Sequence, residues 1–329
     1  MPKPRAPAKR RAAKTPTTRD QLLVAVSEMY YVQGLTQDEI SSQVGVTRSM
    51  ISRLLKEARH RGIVEIRVHR QEQRDSRLEA ALHAQFSIEA YVAAAAEQTG
   101  APEQLRRLIG RVAAGVLVDR ITSTTVLGLG WGTSVSAVVD EVQVAHPCPA
   151  RIVQLVGALG ARDLDYDGHN AVQRLAERLG GEGFFLYAPF LVDSHATAQQ
   201  LLENQSVRET VELFKRCKVA LTGIGSTDPR FSGYYHAGYV PISELERLRA
   251  AGAVGDVCGH HLDQRGHEVA RSFDGRLVTI SRTDFLAIPK RIGVAGGPGK
   301  ADPVLAALRA GYINVLITDS GTAARILSG

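Results

Sequence analysis

Three glycine-rich stretches carry the residue types that bind anions. The first is Gly128-Leu129-Gly130-Trp131-Gly132-Thr133-Ser134, the second Ala295-Gly296-Gly297-Pro298-Gly299-Lys300, and the third Thr222-Gly223-Ile224-Gly225-Ser226. Glycines let the backbone approach a ligand closely. A helix that starts directly after such a loop offers free N–H groups and the positive end of its dipole. In the first stretch Thr133 and Ser134 add hydroxyls at that position, which is the chemistry of a phosphate cradle. No Gly-Lys-Ser or Gly-Lys-Thr follows, so this is not a P-loop, and the G-x-G-x-x-G spacing of dinucleotide binders is missing. A tight strand–helix turn with no ligand would use the same glycines.

In the second stretch Lys300 sits at an expected helix start, where a cation faces the like charge of the dipole. A bound anion would resolve that conflict. Asp319 ends the last expected strand, where its carboxylate can accept from a sugar hydroxyl or cap the final helix. Cys258, His260, His261, Asp263 and His267 invite a metal reading, but C-x-H-H-x-D-x-x-x-H matches no zinc-ligand spacing. No metal and no cofactor is expected. Neither a G-x-S-x-G elbow nor H-E-x-x-H occurs, so hydrolase chemistry has no support.

A second kind of chemistry lies between Gly34 and Val68. Thr36 and Glu39 have the spacing of a capping box ahead of a helix over Thr36–Gln43. Gly45 suits a tight helix–helix turn, and Thr47 can cap the helix that follows. Met50, Ile51, Leu54, Leu55 and Ala58 recur at helical spacing, which leaves Arg48, Ser49, Ser52, Arg53 and Lys56 on the other face. A DNA major groove admits such a helix, with its first residues reaching base edges and phosphates. The candidate DNA contacts are Gln37, Thr47, Arg48, Ser49, Ser52, Arg53 and Lys56. Ile63 to Val68 would form a β wing beside the helix. Arg19 to Gln33, with Leu22, Leu23, Val26, Met29, Tyr30 and Val32, is expected as a third helix beneath the other two.

Charge follows the same division. The chain of 329 residues carries +6. Residues 1–70 hold fourteen Lys or Arg against six Asp or Glu, and the remainder carries −2. Only the N-terminal part therefore asks for a polyanionic partner. Residues 1–18 read as a disordered basic arm and 19–70 as a winged helix-turn-helix. Residues 71–86 read as a linker helix whose Leu78, Ala81, Leu82 and Phe86 could pair with a second copy or pack on the large domain; a dimer contact is favoured. From Ala90 onward short apolar strands alternate with amphipathic helices, so 87–329 should be a parallel sheet covered on both faces. Strands are expected at Ala90–Ala95, Thr125–Gly128, Arg151–Val156, Phe184–Leu186, Val219–Leu221, Val278–Ile280, Arg291–Ala295 and Val315–Thr318. Two stretches, Tyr234–Tyr239 and 255–276, break the alternation and read as insertions over a pocket. No apolar run reaches the ~20 residues of a membrane helix. Cys148, Cys217 and Cys258 are odd in number and far apart, as free thiols in a reducing cytoplasm would be.

Taken together, G-L-T-Q-D-E-I, S-R-L-L-K-E-A-R-H-R-G-I-V-E-I-R-V, G-L-G-W-G-T-S, T-G-I-G-S, G-D-V-C-G and A-G-G-P-G-K-A-D-P-V-L-A-A-L-R-A-G-Y-I-N-V-L-I-T-D resemble the SorC family of bacterial transcriptional regulators from about Tyr30 to the end. The resemblance implies a winged helix-turn-helix joined to a doubly wound α/β domain of the glucosamine-6-phosphate deaminase and ribose-5-phosphate isomerase type. It implies a homo-oligomer, dimer or tetramer, that binds double-stranded operator DNA and is controlled by a phosphorylated sugar. Carried over motif by motif, Gly130, Gly132, Thr133 and Ser134 would hold the phosphate, with Lys300 beside them. Gln154, Gly223, Asp256 and Asp319 would line the sugar site. Ser134 stands where the family often has a second threonine. The alternative function is a sugar-phosphate isomerase or deaminase that carries a DNA module. Asp256, His260 and Asp319 are the available acid–base groups, and no spacing joins them.

Overall fold

The computed structural model describes residues 19–64, 74–94, 101–158, 167–269 and 272–329. The basic arm at 1–18 and the wing residues beyond Val64 lie outside these. The chain divides into two compact units, Met1–Gln71 and Glu72–Gly329.

The first unit is helical. Helix α1 (Arg19–Ser27) continues into one π-helical turn over Glu28–Val32, in which Gln33 N–H donates to Glu28 O at 3.0 Å. Helix α2 (Gln37–Val44) starts on the expected capping box, with Thr36 and Glu39 each bonding the other's backbone. Two otherwise orphaned N–H groups are thereby satisfied at the helix start. Gly45 closes α2 at φ 74°, a left-handed conformation that costs glycine little, and turns the chain into α3 (Arg48–His60). Leu23, Val26, Ile40, Ile51, Leu54, Leu55 and Ala58 form the buried core, with Ile63 and Val64 packed against it. Arg19 and Arg61 tie α1 to α3, Arg19 bonding Glu57 at 2.6 Å and Arg61 bonding Asp20 at 2.7 Å.

The second unit is a seven-stranded, fully parallel sheet. Its strands are β1 (Glu89–Ala93), β2 (Val126–Leu129), β3 (Arg151–Gln154), β4 (Glu182–Phe184), β5 (Val219–Gly223), β9 (Lys290–Val294) and β10 (Val315–Asp319), in the order β1-β10-β9-β5-β2-β3-β4. A separate antiparallel sheet holds β6 (Gly225–Ser226), β7 (Ala253–Val257) and β8 (His260–Asp263). The helices are α4 (Ser76–Phe86), α5 (Pro102–Val118), α6 (Thr133–Glu141), α7 (Gly168–Leu179), α8 (His195–Glu203), α9 (Gln205–Phe214), α10 (Gly233–His236), α11 (Ile242–Ala250), α12 (Arg282–Ala287), α13 (Ala301–Arg309) and α14 (Ser320–Ser328).

Alternate strand residues point to two separate cores, as period-two geometry requires. Leu127, Ile152, Leu221 and Ile317 join α5, α6 and α7 in one core. Val126, Val153, Ala220 and Leu316 join α4, α9, α13 and α14 in the other. The sheet is doubly wound. Its order reverses between β2 and β5, and a crevice outside the carboxyl ends of strands at such a reversal is where ligands bind in open α/β sheets.

Three expectations change. The apolar stripe on α4 is covered within the chain: Leu82 is buried in the second core, and Leu78 and Phe86 pack against it. That stripe is not left open for a second copy. Val278–Ile280 joins neither sheet; its backbone bonds Phe190 O and Leu155 O, and Thr279 forms an isolated bridge to Val156. The fourth strand lies earlier than expected, at Glu182–Phe184, because past it the backbone bonds side chains: Phe185 O accepts from the Thr210 hydroxyl and Leu186 N–H donates to Gln154 Oε1.

Candidate functional site

A pocket of about 470 Å³ opens beyond the carboxyl ends of β2, β5 and β9. All three glycine stretches reach it. Gly132, Thr133 and Ser134 come from the first, Gly223 and Gly225 from the third, and Gly296, Gly297 and Lys300 from the second. Helix α6 begins at Thr133 with Gly132 as its cap at φ 112°, a residue with no side chain to bond the first N–H groups. The positive end of that helix faces the pocket. Thr133 and Ser134 are half-buried there.

Lys300 stands at the N-cap of α13, the unfavourable position expected from the sequence. Its Nζ donates to Ile224 O at 2.7 Å. Burial pushes the ammonium down to about 8, against a smaller opposing pull from the Asp256 carboxylate. An anion in the pocket would restore the lost stabilisation of the charge.

Asp256 is buried on β7. Its Oδ2 accepts from the Tyr234 hydroxyl at 2.7 Å and from Gly259 N–H at 3.0 Å. Only glycine fits at 225, because a β-carbon there would overlap Asp256 Oδ1. Tyr234 stacks on Phe190 at 5.3 Å between centroids and lies 5.0 Å from Trp131, giving the pocket an aromatic wall. Its phenol is held well above its ordinary range by burial and by the carboxylate, so it donates to Asp256 throughout the physiological range.

Not every predicted residue reaches the pocket. Gly130 is buried behind it, donating to Leu221 O at 2.8 Å. Gln154 spends its amide on backbone: Nε2 donates to Val156 O at 2.8 Å, and Oε1 accepts from Leu186 N–H at 3.3 Å. Asp319 caps α14 through Thr322 N–H at 3.0 Å and accepts Gly297 N–H at 2.7 Å. It braces the loop that lines the pocket without lining it. Arg106, Trp131, Phe231 and Tyr234 do line it and were not among the predicted site residues. Phe231 and Tyr234 fall in or beside the stretch that broke the strand–helix alternation, which was the one available signal.

The histidine-rich stretch disperses. His260 Nε2 faces Ile280 O at 2.9 Å, buried His261 Nδ1 faces Gly259 O at 3.0 Å, and His267 pairs with Asp263 at 3.5 Å. Among the described residues no three such groups could hold a metal ion. Cys258 is buried, and burial pushes its thiol up to about 12. Among the described residues no helix is long and apolar enough to cross a membrane.

On the first unit, α3 turns Arg48, Ser49, Arg53 and Lys56 to solvent opposite its buried face, with Ser52 half-buried. Arg48 makes only a loose 3.6 Å contact with Asp38, both about two-thirds exposed, worth little and readily exchanged. Arg53 and Lys56 have no ion-pair partner among the described residues. Thr47 Oγ1 caps α3 through Met50 N–H at 3.3 Å and bonds Ser49 Oγ at 3.0 Å, while Gln37 is half-buried at the start of α2.

A helix-turn-helix joined to a doubly wound α/β unit with an anion-ready crevice is the layout of a ligand-controlled DNA reader. Residues 70–328 match the family model described as "Putative sugar-binding domain", and residues 25–61 match that of sigma-70 region 4. The sorbitol operon regulator of Klebsiella pneumoniae is 29% identical over 310 residues, covering 93% of this chain and 98% of the relative. The transcriptional regulator LsrR of Enterobacter sp. (strain 638) is 30% identical over 316 residues, 94% of each chain. The crystal structure of full-length SorC from Klebsiella pneumoniae superposes with a TM-score of 0.71 at 28% identity, covering 93% of this chain and 98% of that one. The chain belongs to the SorC family of sugar-binding transcriptional regulators.

Proposed function

We propose that this regulator binds a phosphorylated sugar in the crevice, with the phosphate between the start of α6 and Lys300, and that occupancy changes its affinity for operator DNA. The observation that carries this is the convergence of two positive centres on one pocket. One is the α6 terminus, capped by Gly132, and the other is the Lys300 ammonium at the start of α13. Gly132, Thr133 and Ser134 would donate to the phosphate. Asp256 and Gly223 would face the sugar, against the Trp131 and Tyr234 rings.

A regulatory role without turnover is favoured by how the acid–base candidates are spent. The Asp256 carboxylate is committed to Tyr234 and Gly259, His260 to Ile280 O, and Asp319 to a helix cap. His260 and Asp319 do not line the pocket, and Asp256, which does, has neither of them beside it there as an acid–base partner. We place the protein in the cytoplasm, where operator DNA lies, and as a homo-oligomer, since paired half-sites are read by paired modules. Native mass spectrometry of the protein as purified tests the ligand directly. A bound mass that fragments to a phosphorylated sugar is expected; a neutral or nucleotide ligand would contradict the reading.

The site also carries a pH signature. Below pH 8 Lys300 is already protonated in the free protein. Above that value binding a phosphate must first recharge the lysine, so affinity should fall by up to about tenfold per pH unit. Trp131 is the chain's single tryptophan and lines the pocket, so its fluorescence can follow the titration. Lys300→Arg should move the break above pH 10; a break near 8 surviving in that variant would assign it to another group.

A further inference from the structure

β1 is an edge strand of the seven-stranded sheet. Unpaired edge groups invite a partner unless something covers them. Here the cover comes from the first described residues of the α/β unit. Arg74 bridges antiparallel to Ala93, and Asp75 N–H donates to Val92 O at 2.9 Å. Glu79 Oε1, from the first turns of α4, accepts Val92 N–H at 2.9 Å. Arg74 closes a two-pronged bond on Glu79, both contacts 2.7 Å, and its guanidinium lies 4.5 Å from the Tyr91 ring centroid. These residues form a clip where the chain enters the unit, just after the boundary at Gln71 and Glu72.

The neighbouring strand β10 holds the pocket loop. Ala93 faces Asp319 in register, and Ser320 Oγ donates to Ala93 O at 3.0 Å. Asp319 Oδ2 accepts the N–H of Gly297, which lines the pocket. Between the pocket wall and the clip there are therefore only two residues, Asp319 and Ala93. Every connection along this path is a hydrogen bond or a sheet pairing.

We propose that Asp319 is the positioning residue that couples pocket occupancy to the Arg74–Glu79 clip. An anion that fixes the Gly296–Lys300 loop fixes Gly297 on Asp319, and through β10 and β1 it holds the clip closed where the chain comes in from the DNA-reading unit. This rests on the phosphate reading of the pocket. Energetic coupling needs an element with two arrangements that both sites bias, and the clip, closed or released from the β1 edge, is that element. Asparagine at 319 separates the roles. Its one oxygen can keep the cap on Thr322 N–H, while its amide turns a donor toward Gly297 N–H and toward the Thr322 hydroxyl, which also accepts from Gly297 and donates to Asp319 Oδ2.

The test uses the full-length chain, inorganic phosphate as probe, Trp131 fluorescence for occupancy, and backbone hydrogen exchange read by mass spectrometry. Saturating phosphate should slow exchange at 296–300 and also, by at least about threefold, in peptides covering 89–94. Arg74→Ala should keep the Trp131 response and lose the slowing at 89–94, and Asp319→Asn, read at phosphate concentrations that saturate its own Trp131 response, should lose that slowing too. If wild-type Trp131 responds and 296–300 slows while 89–94 does not, the coupling is wrong and the phosphate site stands. Slowing at 89–94 that persists in both variants overturns the path through these residues. No Trp131 response in the wild-type protein removes the phosphate reading and this proposal with it.

Discussion

Lys300→Ala should abolish the response to a phosphorylated sugar while leaving operator binding in its absence unchanged. The lysine offers a charge-assisted hydrogen bond in a poorly solvated setting, a class of contact worth roughly 1.5–3 kcal/mol, or about 10- to 150-fold in affinity. A ligand bound in the micromolar range would then be lost at ordinary concentrations. The fold should not suffer. Lys300 is a desolvated cation at a helix N-cap, its Nζ donating to one carbonyl, so removing it should leave the melting temperature of the ligand-free protein equal or higher. Thr133→Val is the milder companion: it deletes a hydroxyl without changing shape and should cost about tenfold. Trp131 fluorescence reads ligand binding and a gel-shift titration reads operator binding. A full ligand response in both variants would place the phosphate elsewhere.

Arg53→Ala has the second large effect, on the other unit. Arg53 is exposed on α3 and carries no ion pair among the described residues, so its loss should not disturb the Leu54 and Ile51 core beneath it. Operator affinity should drop by about 1–3 kcal/mol. If the contact is to phosphate, the slope of log affinity against log salt should become shallower by roughly one. If the contact is to a base, the slope should hold while discrimination between operator and random duplex narrows. An operator titration at three salt concentrations separates these outcomes. Unchanged affinity at all three would remove Arg53 from the interface.

Much of this was visible in the residues. The Thr36–Glu39 box, the Gly45 turn and the stripe through Ile51, Leu54, Leu55 and Ala58 are local features, set by capping, backbone freedom and helical period. The strands preceding the glycine loops were legible because parallel strands buried on both faces read as short apolar runs. What failed was long-range. Asp319 looks like a ligand residue because it is a polar group at a strand end, and Gln154 because the family resemblance implies it. Neighbours distant in sequence consume them: Leu186 N–H for Gln154 and Gly297 N–H for Asp319. The α4 stripe suits a dimer seam and a domain core equally, and only the tertiary packing of Leu82 decides. The Tyr234–Asp256 pairing joins a one-turn helix to an antiparallel hairpin, elements too short and irregular for a periodicity to reveal.

A phosphate group in the crevice should be felt by the DNA-reading unit. The most direct test is a gel-shift titration of the full-length protein on its operator, with phosphorylated sugars and the same sugars lacking phosphate. At least one phosphorylated compound should change operator affinity tenfold or more, about 1.4 kcal/mol of coupling, and lose that effect on dephosphorylation. Equal shifts from a sugar and its phosphorylated form, or a phosphate effect undiminished in Lys300→Ala, would contradict it.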